Sequence, residues 1–285
     1  MLNVSPNQAP KLQKPVANSI KKGEETFLRA RKEIAAKYIH GEGIEIGALH
    51  SPLSLPKRAK VRYVDRMSVA DLRKQYPELN TLPLVEADIL DDGESIKSVA
   101  TVSVDFVVAS HLIEHTQDPI GALQNWLRVI KPNGVLYLGV PHKEFTFDKD
   151  RLATKLEHLI RDHEEGPAWS RLGHFEEWVR LVAHTPEERV ESEIKRLLDM
   201  DYSIHYHVWT ELEFLELLMY CRSILKMPFR VECLQHNEFE VIFILRKLPA
   251  LPGKPPIVAK IRKFIAGIPV AGPVLRAIYR TLKRS

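Results

Sequence analysis

Glu45-Ile46-Gly47-Ala48-Leu49-His50-Ser51-Pro52 decides how this chain folds. It ends the short apolar run Gly43 to Ile46 on a single glycine and runs on into turn-forming residues. A strand, a sharp glycine turn and a following helix make the ligand-binding corner of a doubly wound sheet. The same punctuation recurs downstream. Val61 to Val64 ends at Asp65, Pro83 to Ala87 at Asp88, Asp105 to Ala109 at Ser110, and Val135 to Val140 at Pro141. Helical stretches separate these runs, most clearly Pro119 to Ile130, where Ile120, Leu123, Trp126 and Leu127 share a stripe. Runs apolar on both faces and joined by crossovers predict an α/β fold with a mostly parallel sheet covered on both sides.

Around this centre, Glu24 to Ile39 reads as a helix with Phe27, Ala30, Ile34 and Ala35 on one face. From His142 to about Ser203 a helical insertion interrupts the rhythm. Within it, Arg151 to His163 carries Leu152, Leu156, Leu159 and Ile160 on one stripe, and Thr185-Pro186-Glu187-Glu188 heads a further helix. Thr210 with Glu213 forms a capping box before Leu212 to Leu225. Phe229 to Leu234 and Phe239 to Arg246 flank Gln235-His236-Asn237-Glu238 and read as a terminal hairpin. The expected organisation is residues 1–39 as an N-terminal extension and helix, 40–247 as the main domain, and 248–285 as a tail.

Of 285 residues, 45% are hydrophobic and 27% charged, which suits a globular chain and excludes a disordered one. Cys221 and Cys233 show no CxxC spacing, so neither a disulfide framework nor a thiolate zinc site is expected. With no apolar leader and no run of ~18 apolar residues, a soluble cytoplasmic protein is expected. Its net charge of +4 is unevenly divided. Residues 250–285 carry eight cations and no acid, which leaves the body mildly acidic and argues against nucleic-acid binding by the fold itself.

The glycine turn also bears on the cofactor. A dinucleotide site needs three glycines to bring backbone amides against a pyrophosphate, whereas Leu49 and Ser51 stand where two of them would be. S-adenosylmethionine has no pyrophosphate and needs less of that cradle. Asp65, 20 residues after Glu45, is placed to accept from ribose hydroxyls, Asp88 from an adenine amino group, and Glu45 can face the cationic end of the methionine moiety. Capping of the following helices is the rival reading for any one of these acids.

Glu45-Ile46-Gly47, Asp65, Asp88, Asp105 to His115, and Leu127-Arg128-Val129-Ile130-Lys131-Pro132-Asn133-Gly134 together resemble the class I S-adenosylmethionine-dependent methyltransferases over roughly Gly41 to Pro141. The departure is the usual Gly-x-Gly at Gly47. The resemblance implies a Rossmann-like, seven-stranded sheet whose last strands form an antiparallel hairpin. It also implies that Glu45, Gly47, Asp65, Asp88, Ser110 and His111 contact the cofactor.

His111-Leu112-Ile113-Glu114-His115 spells HxxEH, yet a protease would hold that pattern inside a long helix rather than at a strand end. Glu114 and His115 resemble the divalent-ion pair of some hydroxyl methyltransferases, but no metal ligand is assigned. Seven of the twelve histidines fall between His142 and His207. His142 follows the fifth strand. His158 and Asp162 lie one helical turn apart, so the carboxylate can orient the imidazole as a base for a hydroxyl acceptor. With His142 they form the expected catalytic group, and Asp148, Arg151 and His174 the expected substrate contacts. In the tail, Pro255 to Ala266 and Pro273 to Leu282 read as short amphipathic helices, so residues 253–285 are expected to touch a membrane surface or a partner enzyme.

The resulting expectation is methyl transfer to a small or glycan-like acceptor, at oxygen, in a surface-polysaccharide pathway, which is where the resemblance points. A nicotinamide-dependent oxidoreductase and a non-catalytic, membrane-associated scaffold are the alternatives.

Overall fold

Period-two alternation along the strands divides the core between two faces of one sheet. The computed structural model describes residues 14–249, with side chains from residue 25 onward. In chain order it runs α1 (Lys14–Tyr38), β1 (Gly41–Ile46), β2 (Ala59–Asp65), α2 (Val69–Gln75), β3 (Ile89–Leu90), β4 (Val104–Ser110), α3 (Pro119–Val129) and β5 (Ile130–Pro141). Then come α4 (Leu156–Glu165), α5 (Ala168–Leu181), α6 (Glu187–Asp199), α7 (Glu211–Ser223), β6 (Phe229–Asn237) and β7 (Glu240–Lys247). The seven strands lie in the order β3-β2-β1-β4-β5-β7-β6. β1 to β5 are parallel, and β7 enters antiparallel between β5 and β6. This is the doubly wound sheet with a terminal hairpin that the pattern predicts, in the seven-stranded, Rossmann-like form that the resemblance implies.

Val107, Ala109, Leu136, Leu138, Phe243 and Leu245 face one side and pack with α3, α4 and α7 residues such as Trp126, Leu159 and Phe214. Phe106, Val108, Tyr137, Ile242 and Ile244 face the other and meet Ile34 and Ala35 of α1 and Ile39 just beyond it. The expected face of α1 is largely buried, so this helix covers the sheet as part of the core. In the insertion, Phe175, Val179, Val190, Leu197, Ile204 and Tyr206 form a small core of their own. Among the described residues no helix is long and apolar enough to cross a membrane.

Local chemistry explains where boundaries differ from the sequence reading. Pro83 to Ala87 is not a strand; the third strand is only Ile89–Leu90, after Asp88. The Asp88 carboxylate accepts from Tyr63 N–H at 2.7 Å and fastens the entry to that strand. The insertion's first helix starts at Leu156 rather than Arg151, because Thr154 N–H donates to Val208 O and Val208 N–H to Thr154 Oγ1. That edge-like pairing uses the groups a helical turn would need, and Leu152 is left exposed. Thr185 does not cap α6, whose cap position is Pro186. Thr210 and Glu213 do form the capping box of α7. The hairpin turns at Glu238-Phe239, not over 235–238, since Asn237 pairs with Glu240. In the turn before the buried part of β5, a Cβ on Gly134 would meet Asp105 O at 2.5 Å, so only glycine fits. The tail helices expected over 255–282 lie outside the described residues.

Candidate functional site

The carboxyl ends of β1, β2 and β4 open onto a cleft of about 370 Å³. Its floor comes from the β1 turn. Gly47 takes φ +66°, a backbone conformation that favours glycine, and its N–H donates to Val64 O. Ile46, Leu49, Leu72, Leu79 and Leu112 supply apolar walls, while Asp65, Glu94, His111 and His115 supply polar ones. The outer wall is Asp201, Tyr202, Ser203 and Tyr206, the segment by which the insertion returns to the sheet. It is tied down by Tyr206 N–H donating to Glu114 O at 2.7 Å and by Arg66 against Asp201 at 3.2 Å.

Of the residues expected to hold the cofactor, Gly47, Asp65 and His111 line this cleft, and Glu45, Asp88 and Ser110 do not. Asp65 is half-buried, with one oxygen accepting from Met67 N–H at 3.2 Å; burial raises its pKa against those backbone bonds. Glu45 points to the opposite face of β1, where Leu53 N–H donates to Oε1 at 2.9 Å and Oε2 has no partner. Burial pushes its pKa up to about 7, opposed by the Leu53 bond and by Arg31. It therefore holds the loop after β1 instead of meeting a cofactor. Asp88 is committed to Tyr63, as above. Ser110 Oγ is buried without a partner and lies off the cleft, against the strand position of Gly139.

The expected catalytic and substrate residues are placed elsewhere. His142 is buried, with Nε2 2.9 Å from Glu211 Oε2 and Nδ1 accepting from Glu144 N–H, so both nitrogens are engaged in local structure. His158 and Asp162 do meet, at 3.2 Å, but away from the cleft and beside His174 and His207. Arg151 cannot receive an anion. Its buried guanidinium donates to Glu177, Asp148, His205 O and Tyr206 O at 2.7–3.1 Å. Asp148 in turn binds His205 Nδ1 at 2.6 Å, making this trio a staple behind the cleft-facing segment.

What the sequence reading missed is a relay under His111. Glu240 of β7 receives two bonds from Arg31, at 2.8 and 2.5 Å, and one from Asn237 at 2.7 Å. His111 Nε2 lies 3.0 Å from the same carboxylate. Burial would raise the Glu240 pKa, but the Arg31 and His111 bonds hold it down at about 2. The signals were present: Arg31 interrupts the apolar stripe Phe27, Ile34, Ala35, and Glu240 opens an otherwise apolar strand. Glu114 was weighed as a metal partner of His115. It is fully enclosed, both oxygens lack hydrogen-bond partners, and burial raises its pKa well above the ordinary value. His115 contacts Ile204 O at 2.9 Å through Nδ1, and burial, then His205, lowers its pKa to about 3.

A glycine turn at the first strand, a carboxylate at the end of the second and apolar plates between them define a site for a nucleoside-bearing cofactor. The methyltransferase-domain family matches residues 43–138, the stretch that builds this corner. Residues 43–138 thus carry a methyltransferase domain, and S-adenosylmethionine is the cofactor that such a domain uses. Similar solved structures include a S-adenosylmethionine-dependent methyltransferase from Methanosarcina mazei, at 19% identity over 75% of this chain and 96% of that one, TM-score 0.42. Another, from Aquifex aeolicus, has 13% identity over 81% and 98%, TM-score 0.42. The assignment rests on the family match rather than on these distant likenesses. No curated protein matches the chain.

The cleft fits the cofactor. Among the described residues no cation pairs with the Asp65 carboxylate, which would be open to ribose hydroxyls, and Ile46, Leu72, Leu79 and Leu112 would give a base apolar surface.

Proposed function

We propose that the protein methylates an oxygen of a small-molecule or glycan-like acceptor, with His111 taking the hydroxyl proton. One observation carries this reading: an imidazole on the cleft wall, 3.0 Å from a carboxylate that Arg31 and Asn237 lock in place. The ionised Glu240 fixes the His111 proton on Nε2, which leaves Nδ1 with its lone pair. When bound, S-adenosylmethionine supplies a methyl group on a positively charged sulfur, and the transfer then needs alignment and a proton acceptor. Gly47 and Asp65 seat the cofactor, the 201–206 segment screens it from water, and His111 removes the proton. His158 and Asp162, expected in that role, lie off the cleft.

The exposed ring of Phe147 in the insertion suits stacking on a sugar ring, which supports a glycan acceptor and a place in surface-polysaccharide synthesis. The basic tail supports a cytoplasmic protein that touches an anionic membrane face or a partner enzyme.

Calorimetric titration with S-adenosylhomocysteine, with NAD⁺ in parallel, tests the foundation. Binding of the former alone, abolished by Asp65→Ala, is expected; binding of NAD⁺ instead would overturn the reading. For the base, His111→Gln should lower methyl transfer to a screened acceptor by about 10²–10⁴-fold. S-adenosylhomocysteine affinity should hold within a few-fold. A loss of affinity matching the loss of rate would make His111 a cofactor ligand only.

A further inference from the structure

Behind the cleft wall, three imidazoles and one carboxylate converge from separate parts of the insertion. His158 and Asp162 come from α4, His174 from α5, and His207 from the extended segment before α7. One donor atom from each lies within 4.8 Å of all the others. His158 Nε2 is 3.0 Å from His174 Nε2 and 3.2 Å from Asp162 Oδ2, and His207 Nε2 is 3.7 Å from the same oxygen. A tetrahedral ion with bonds of about 2.0–2.1 Å needs donors about 3.3 Å apart. The three rings are steeply inclined to one another, at interplanar angles of 73°, 74° and 80°.

Hydrogen bonding leaves this cluster incomplete. Asp162 Oδ1 accepts from Ser170 Oγ at 2.7 Å, while Oδ2 is buried with no hydrogen bond. His207 Nδ1 is buried and unpartnered as well. A buried carboxylate needs a counter-charge. Among the described residues only imidazoles come within ion-pair distance of this one. Ser170 holds the carboxylate as outer-shell partners of metal ligands do.

We infer that His158, His174, His207 and Asp162 bind a divalent transition ion of the zinc class. Imidazole donors favour such ions over magnesium or calcium. Four protein donors make the site closed, and so structural. It joins α4 and α5 to His207, whose neighbour Tyr206 lines the cofactor cleft, and so fixes the wall on which the substrate-side surface is built. The inference is independent of the acceptor and of the methyltransferase chemistry.

The test uses untagged full-length protein, stripped with a chelator and then titrated with Zn²⁺ and, separately, Co²⁺. One ion per chain is expected by elemental analysis, with the intense visible absorption of four-coordinate cobalt and a higher melting temperature on loading. Asp162→Asn and His174→Gln should each weaken binding by more than the roughly 10–100-fold cost of losing an outer-shell partner. Glu114→Gln should leave it intact, which separates this site from the Glu114, His115 and His205 group. Failure of the wild-type chain to retain stoichiometric metal would overturn the inference, as would binding lost in Glu114→Gln but kept in Asp162→Asn. The wild-type titration decides the matter even if a variant fails to fold.

Discussion

Glu45 and Glu240 show how two buried carboxyls on one sheet face acquire opposite roles. Glu45 has one N–H partner and a distant cation, so its neutral form is favoured and its pKa rises to about 7. A carboxyl whose folded pKa lies above the unfolded value of about 4.3 stabilises the fold at low pH, and that contribution is lost as pH rises through about 7. Glu45→Gln removes the charge and can keep an acceptor for Leu53 N–H. It should stabilise the protein by up to about 3 kcal/mol at pH 8 and by almost nothing at pH 4. Thermal unfolding at the two pH values checks this. Unchanged S-adenosylhomocysteine affinity would confirm that Glu45 is no cofactor ligand. Glu240 is the reverse case: held at about 2, it contributes stability above pH 4.3 that disappears as pH falls towards 2. Arg31→Met leaves it buried without its cation, a loss on the order of 3–5 kcal/mol at pH 7. The loss should shrink steadily as pH falls below neutral, because without the cation burial raises the Glu240 pKa and the carboxyl protonates. A penalty independent of pH would mean that Arg31 acts through packing alone.

At the scale of elements, the strands and α3 were legible because period-two and period-3.6 burial writes itself into sequence. The short strand Ile89–Leu90 was not, since two residues carry no period, and Pro83 to Ala87 imitated one. Nor was the site wholly legible. Gly47, Asp65 and His111 could be placed because they end strands. Arg31, Glu240 and the 201–206 segment reach the same neighbourhood through contacts more than a hundred residues apart, on which local patterning is silent. Arg151 is the sharpest case: on a helix it would be a free cation, but the Thr154–Val208 pairing pulls it into the core as a staple. Arg151→Met should therefore destabilise by about 3–5 kcal/mol, by stranding buried Asp148 and two carbonyls. Limited proteolysis should cut the variant first within residues 146–155 or 200–207. Wild-type stability would instead mark Arg151 as a residue free to bind substrate.

Across the whole molecule, the parallel strands deliver the Gly47 turn and the Asp65 carboxylate to one edge, and the insertion supplies the opposite wall. Ligand in that cleft must therefore bridge two cores, the sheet's and the small one of α5 and α6. A ligand that binds only the folded state stabilises by about 2.7 kcal/mol at a hundred times its Kd. For a domain of this size that corresponds to a rise of about 5–10 °C in Tm. S-adenosylhomocysteine should produce such a rise, and Asp65→Ala should abolish it without lowering the Tm of the free protein by more than a few degrees. Hydrogen exchange adds the decisive contrast. If the cleft is the cofactor site, amides of β1, of the Gly47 turn and of residues 201–206 should slow together on binding, whereas those of β6, at the far edge of the sheet, should not. Protection confined to the Gly47 turn would separate the insertion from the cofactor and return the 201–206 wall to the acceptor alone.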